Sequence, residues 1–148
     1  MRGFTLLELL VVLFIMVLGL SVVGINLSSG SDGPALKVAA RDLVSALRYA
    51  RGQALMTHQE ETVTLDLAEN SYTVSGRTKN YLIPKTIALT VVSAQSELTG
   101  AGKANMRFFS DGSSTGGRIT LEQGRSAWEI NINWLTGQIK LDDTDATE

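Results

Sequence analysis

The chain opens on a long run of apolar positions, "FTLLELLVVLFIMVLGLSVVGINL" from Phe4 to Leu27, in which the only polar side chains are Thr5, Glu8, Ser21 and Asn26. A helix of that length, at ~1.5 Å per residue, reaches ~36 Å and exceeds the ~30 Å hydrocarbon core of a bilayer. The pattern predicts a membrane-spanning helix over 4–27. "SSGSDGP", Ser28 to Pro34, is turn and linker chemistry, and a second helical pattern follows at once. There Leu36, Ala40, Leu43, Leu47, Ala50 and Ala54 recur in steps of four and three, the spacing of a single buried face. Asp32 could cap this amphipathic helix. Alternatively one helix could continue from Phe4 to about Thr57 with a kink at Gly33-Pro34. The pattern leaves both open.

From Glu61 the period changes to two. "ETVTLDL" sets Val63, Leu65 and Leu67 on one side, "NSYTVSG" follows a turn at Ala68 to Asn70, and "TIALTVV" alternates Ile87, Leu89 and Val91. "MRFFSDG", "GRITLEQG", "AWEINI" and "GQIKL" then read as short strands parted by glycine-containing turns. Successive strands without a further amphipathic helix predict an antiparallel, two-layer β domain with the apolar helix face packed on it. The fold class expected is α+β, with the first half of the long N-terminal helix spanning a membrane and the second half amphipathic. Four segments result: 1–3, 4–27, 28–58, and a β-rich domain over 59–148 that ends in an acidic tail.

Beyond Leu27 roughly 120 residues remain, enough for one modest domain. The chain has no cysteine, so its core must hold without disulfides. A net charge of -2 gives no footprint for nucleic acid or acidic lipid.

An enzyme needs a constellation of reactive groups. His58 is the only histidine, no thiol is present, and no S-x-x-K motif occurs. No catalytic residue, cofactor or metal is predicted. His58 reads as a solvated residue at a helix end. "SDGSSTGG" lacks the Lys-Ser/Thr ending of a phosphate loop and leads into a strand, so a hairpin loop is expected there. Asp142, Asp143, Asp145 and Glu148 lack calcium-loop spacing and a sharp-turn glycine, and read as a disordered acidic tail. Arg41, Arg48 and Arg51 form a partial basic stripe, expected to be a solvated face. Trp128 and Trp134 lie in or beside strands, where core packing is the first expectation and a subunit interface the second.

Glu8 stands apart from this. A secretory signal peptide would have a more basic start than Arg2 alone and an A-x-A-like cleavage site, which "SSGSDG" does not supply. A carboxylate within a spanning helix costs up to ~3 kcal/mol and marks a functional residue whose partner should be named. The motif Gly3-Phe4-Thr5-Leu6-Leu7-Glu8 before a long apolar helix resembles the processing site of type IV prepilins and type II secretion pseudopilins. The resemblance implies that a prepilin peptidase removes residues 1–3, cutting between Gly3 and Phe4, and methylates the new amine of Phe4. That amine would lie four residues before Glu8, ~6 Å along a helix axis. In staggered helices one subunit's amine can stand level with its neighbour's carboxylate, which gives Glu8 an assembly and register role.

A second resemblance covers Met106 to Leu141. "FFSDGSSTGGRITL", "WEINI" and "TGQIKL", in that order, are similar to the C-terminal signature of the GspH/FimT group of minor pseudopilins. The FimT branch is associated with basic residues near the C-terminus that bind DNA, whereas this chain ends "LDDTDATE". The secretion branch therefore fits better, with a DNA-binding FimT-like pilin as the alternative. It implies a structural subunit near the tip of a periplasmic pseudopilus that aids export of folded proteins across the outer membrane. Its implied location is the bacterial inner membrane, single-pass, with the C-terminal domain in the periplasm. Its implied partners are prepilin peptidase, other minor pseudopilins, the major pseudopilin and the inner-membrane assembly platform, with no nucleic acid.

Overall fold

The computed structural model describes residues 5–27, 32–94, 98–99 and 102–145, with side chains over 5–18, 33–94 and 102–144. The chain divides into two compact units, Met1–Asp32 and Gly33–Glu148.

The first unit contains helix α1, Leu6–Leu27. Its described side chains are exposed on every face, from Leu6 at 80% to Leu18 at 53%. A helix that is apolar all round is built for a membrane or for burial among other helices. That described run ends at Leu18, ~20 Å from its start, so among the described residues no helix is long and apolar enough to cross a membrane. Whether α1 continues into the next helix depends on residues 28–31, which lie outside the described residues.

The second unit begins with α2, Asp32–Thr57. Pro34 falls in its first turn, where the missing N–H has no intrahelical acceptor to lose. The helix ends at His58, whose φ of 54° is the left-handed conformation that closes a helix. His58 is exposed there, as a solvated terminal residue should be. Leu36, Ala40, Leu43, Leu47, Ala50 and Ala54 are all fully buried, so the four-three spacing identifies the packed face. Each buried leucine contributes ~1.5–3 kcal/mol.

The strands are β1 (Glu61–Asp66), β2 (Ser71–Val74), β3 (Asn80–Leu82), β4 (Ala88–Val92), β5 (Leu98–Thr99), β6 (Lys103–Phe108), β7 (Gly117–Gln123), β8 (Ser126–Ile132) and β9 (Ile139–Asp145). They form a five-stranded sheet, β3-β2-β1-β6-β5, and a four-stranded sheet, β4-β7-β8-β9. Every pairing is antiparallel, so the expected α+β, two-layer architecture is the one observed. Register places Val63 opposite Met106 and Ile119 opposite Ile130, all buried. These residues join the α2 face in one apolar core.

Three local expectations change. The acidic tail is instead a strand as far as Asp145: β9 pairs with β8 from Ile132↔Ile139 to Ser126↔Asp145. Weak β propensity, a matter of ~1 kcal/mol across all residue types, yields here to a continuous ladder. Asp142 and Asp143 are exposed on this edge strand, where charge discourages further strand pairing. Trp134 is not core: it is 66% exposed, because it sits in the β8–β9 turn and not in a strand. Trp128, in β8, is partly buried against the core, with the Lys37 ammonium 5.5 Å from its ring centroid. Finally, Arg51 is not part of a solvated stripe, although Arg41 and Arg48 are exposed.

Candidate functional site

Two regions carry features beyond packing. The first is the start of α1. The Glu8 amide lies 3.1 Å from the Thr5 carbonyl oxygen and 3.3 Å from Thr5 Oγ1, and the Leu9 amide lies 3.3 Å from the same carbonyl. Thr5 therefore caps the helix, and Glu8 stands three residues on, the T-x-x-E spacing of a capping box. An acid in the first turn also complements the positive end of the helix dipole. The signal for this second use of Glu8 is the local spacing Thr5-Leu6-Leu7-Glu8, which the resemblance to a processing motif does not draw on. Glu8 is exposed. Gly3 and Phe4 lie outside the described residues.

The second region is the end of the β domain near the C-terminus of α2. Arg51 Nε donates to the Gly112 carbonyl at 3.1 Å, and Arg51 Nη2 donates to the Thr136 carbonyl at 2.9 Å. One guanidinium thus ties α2 to the loop between β6 and β7 and to the β8–β9 turn. The loop crosses from one sheet to the other through a bridge between Phe108 and Ser114. Ser114 ties it to the turn as well, its amide donating to the Trp134 carbonyl at 2.9 Å and its hydroxyl to the Asn133 carbonyl at 3.0 Å. Gly137 makes the approach possible. Its φ is 63°, and a Cβ there would run into the Gly112 carbonyl oxygen and stand 2.8 Å from Arg51 Nε. The segments "SDGSSTGG" and "TGQIKL" are therefore one structural joint, far apart in sequence and held by Arg51.

Asp111 opens this loop, and hydrogen bonds from the Ser113 hydroxyl and amide hold its carboxyl below the usual carboxylate range. Among the described residues no group of His, Cys, Asp and Glu is placed to hold a metal ion. The hydrogen bonds of Arg51 and Ser114 hold the loops of the joint together.

Residues 39–137 match the family described as type II transport protein GspH. The chain belongs to the GspH family. The match includes the Arg51 joint, and residues 1–24 separately match the prokaryotic N-terminal methylation motif. Among relatives of this GspH protein is the type II secretion system protein H of Xanthomonas campestris pv. campestris, 29% identical over 140 residues that cover 95% of this chain and 82% of the relative. The fold is similar to that of the minor pseudopilin EpsH from the type II secretion system of Vibrio cholerae, with a TM-score of 0.60 at 13% identity, over 80% of this chain and 100% of EpsH. It is also similar to the type IV minor pilin FimU of Pseudomonas aeruginosa, with a TM-score of 0.57 at 14% identity, over 76% of this chain and 95% of FimU. This GspH chain is a minor pseudopilin of the type II secretion class, and its family is one of structural subunits.

Proposed function

We propose that this GspH chain matures by cleavage between Gly3 and Phe4, is methylated on the Phe4 amine, and enters a periplasmic pseudopilus near its tip. Residues 4–27 anchor it in the bacterial inner membrane by a single pass until assembly, with the β domain in the periplasm. Its partners are prepilin peptidase, the other minor pseudopilins, the major pseudopilin and the inner-membrane assembly platform. Its work is mechanical: as part of the filament it aids passage of folded proteins across the outer membrane. One observation carries the reading. A methylation motif sits at the head of an apolar helix whose single charged residue is Glu8, on a chain whose β domain matches GspH.

The apolar exposure of α1 supports the anchor, because side chains bare on every face need lipid or other helices around them. Glu8 then has a partner to find. A methylated Phe4 amine on a neighbouring subunit supplies the opposite charge, and pairing offsets the cost that each charge bears alone in lipid. The exposed Asp142 and Asp143 on the β9 edge speak against phosphate as a ligand, which favours secretion over DNA uptake.

Intact-mass measurement of the membrane-extracted protein tests the reading. The expected mass is that of a chain starting at Phe4 plus one methyl group, in cells with active prepilin peptidase. Replacing Gly3 by a bulky residue should leave the leader attached. A mature chain that still carries residues 1–3 in such cells would refute the processing step.

A further inference from the structure

Arg48 and Arg51 stand three residues apart on α2 and line one cleft of about 580 Å³, whose other wall is Thr136, Gly137, Gln138 and Ile139. Among the described residues no acid lines it. Two cations at that helical spacing repel one another, and an anion held between them relieves the repulsion. Arg51 gives two of a guanidinium's five N–H groups to the Gly112 and Thr136 carbonyls, which fixes its place and leaves donors to spare. Arg48 is exposed and in no ion pair among the described residues. Asp111, the acid of the joint, is outside the lining, and its carboxyl accepts from the Ser113 hydroxyl and amide.

A pair of guanidiniums suits bidentate recognition of a carboxylate or a phosphate. A chain of phosphates is disfavoured, because β9 leaves the cleft with Asp142 and Asp143 exposed on it, the first of them ~10 Å beyond Ile139. A single carboxylate meets no such obstacle. The acid at the end of β9, Asp145, lies ~20 Å from Ile139 along the strand, too far to fill the cleft itself.

The cleft also has an apolar flank. Trp134 and Leu135, in the same turn as Thr136, are 66% and 63% exposed. Their backbone is held: Asn133 Oδ1 accepts from the Leu135 amide at 2.9 Å, and the Ser114 amide donates to the Trp134 carbonyl at 2.9 Å. Tryptophan and arginine are the residues that most often dominate protein contacts, and a side chain on a fixed backbone loses little freedom on docking.

We propose that this cleft seats an Asp or Glu carboxylate of a neighbouring pseudopilin, with Arg48 and Arg51 donating to its oxygens and Trp134 and Leu135 covering the apolar residues beside it. For the identity of the partner the proposal rests on the reading of the chain as a minor filament subunit, whose neighbours are other pseudopilins and whose anions are carboxylates.

The first test needs no filament. Detergent-solubilised full-length protein is titrated with acetylated tetraglutamate, and tryptophan emission reads binding, with Trp134→Phe separating Trp134 from Trp128. A saturable change is expected, weakened by salt and absent with tetraglutamine. Arg48→Glu should weaken binding about tenfold or more, and Arg48→Lys by less, since an ammonium keeps the charge and loses the fork. Arg48 is exposed, and circular dichroism confirms that its variants are folded; Arg51 stays in place because its loss would loosen the joint. Equal binding by the parent and Arg48→Glu overturns the proposal, as does displacement of the peptide by inorganic phosphate at equal or lower concentration.

The second test places a photo-crosslinking amino acid at the exposed Gln138 in secreting cells. A crosslink to another pseudopilin is expected, mapped by mass spectrometry beside an Asp or Glu and lost in Arg48→Glu. A crosslink that persists in Arg48→Glu, or that reaches only an exported protein or a second copy of this chain, overturns the proposal. Intact mass on the same samples keeps the two readings apart. A chain correctly matured at Phe4 that gives no crosslink refutes the docking alone, whereas a chain still carrying residues 1–3 refutes the processing on which the filament reading depends.

Discussion

Arg51 Nε donates to the carbonyl of Gly112, 61 residues away, at 3.1 Å, and through that bond a helix holds the loop that links two sheets. Arg51→Met keeps much of the aliphatic stem and removes both hydrogen bonds to carbonyls. Charged hydrogen bonds contribute ~1.5–3 kcal/mol each, and water can reach these carbonyls once the guanidinium is gone, so a total loss of about 2–3 kcal/mol is expected. Arg51→Lys should fall between, because an ammonium lacks the planar fork that serves two acceptors at once. Chemical denaturation of the detergent-solubilised chain reads the difference, and equal midpoints for all three proteins would remove Arg51 from the joint.

Gly137→Ala should cost at least as much. The new methyl group would meet the Gly112 carbonyl and the Arg51 guanidinium in a backbone conformation that alanine avoids, so roughly 2–4 kcal/mol is expected. In combination with Arg51→Met the two losses should sum to less than their total, because both break one joint. A double-mutant cycle measures that coupling.

Legibility in the sequence followed distance along the chain. The α2 face from Leu36 to Ala54 and the alternation at Val63 and Leu65 are local periodicities, and burial follows them. The role of Arg51 is not local. Its acceptors lie 61 and 85 residues away, and its spacing from Arg41 and Arg48 is that of any solvated stripe. β3 spans only Asn80–Leu82 and stops short of Pro84, too brief for period two to register. In the sequence Asn70 shows only as a turn residue. With φ at 51° it also ties that turn to the approach to β4, its side-chain amide donating to the Ile87 carbonyl at 2.7 Å. Of the candidate site, the T-x-x-E cap at Thr5 and Glu8 was open to view, whereas any pairing of Glu8 with Phe4 belongs to a second chain.

The core predicts its own sensitivity. Leu47 is fully buried, so Leu47→Ala should destabilise the domain by ~2–5 kcal/mol, the span depending on how far the cavity collapses. Met56→Ala, at a side chain 69% exposed on the same helix, should change stability by less than ~0.5 kcal/mol. Thermal melts of the two variants beside the parent settle the contrast.

Stability should fall at both ends of the pH scale for identifiable reasons. Asp66 Oδ1 accepts from the Glu69 amide at 3.0 Å and the Ala68 amide at 3.1 Å, and Oδ2 lies 3.4 Å from Lys103 Nζ. The Glu69 hydrogen bond is the main cause that lowers its pKa. A carboxylate with a folded pKa below its unfolded value stabilises above the unfolded pKa, near ~3.9, and loses that contribution as pH falls through the folded one. Tyr72 is the reverse case: burial, followed by the charges of Asp42 and Tyr81, pushes it up to about 12. Its contribution is complete below the unfolded pKa of ~10 and disappears as pH rises through about 12. Asp66→Asn should flatten the acid limb of a stability profile and Tyr72→Phe the alkaline limb. An unchanged limb in either variant contradicts the corresponding assignment.

Glu8 has two candidate duties, and a set of four variants separates them. If its carboxylate pairs with the Phe4 amine of a neighbour, Glu8→Leu should ease the isolated helix into lipid while removing the charge that draws it into register. Insertion and cleavage should survive, and assembly and secretion should fall. Glu8→Asp keeps the charge on a shorter stem and should be intermediate. Glu8→Gln should resemble leucine more than aspartate, since the lost contribution is mainly ionic. Thr5→Ala is the control, because it removes the cap, at ~1 kcal/mol, and leaves the carboxylate in place. Crosslinking to neighbouring pseudopilins, scored beside exoprotein release, reads all four. A register role requires that Thr5→Ala assemble nearly as the parent does while Glu8→Leu and Glu8→Gln fail. Equal defects in Thr5→Ala and Glu8→Leu would reduce Glu8 to half of a capping box, and parental behaviour in every Glu8 variant would leave the carboxylate without a part in assembly.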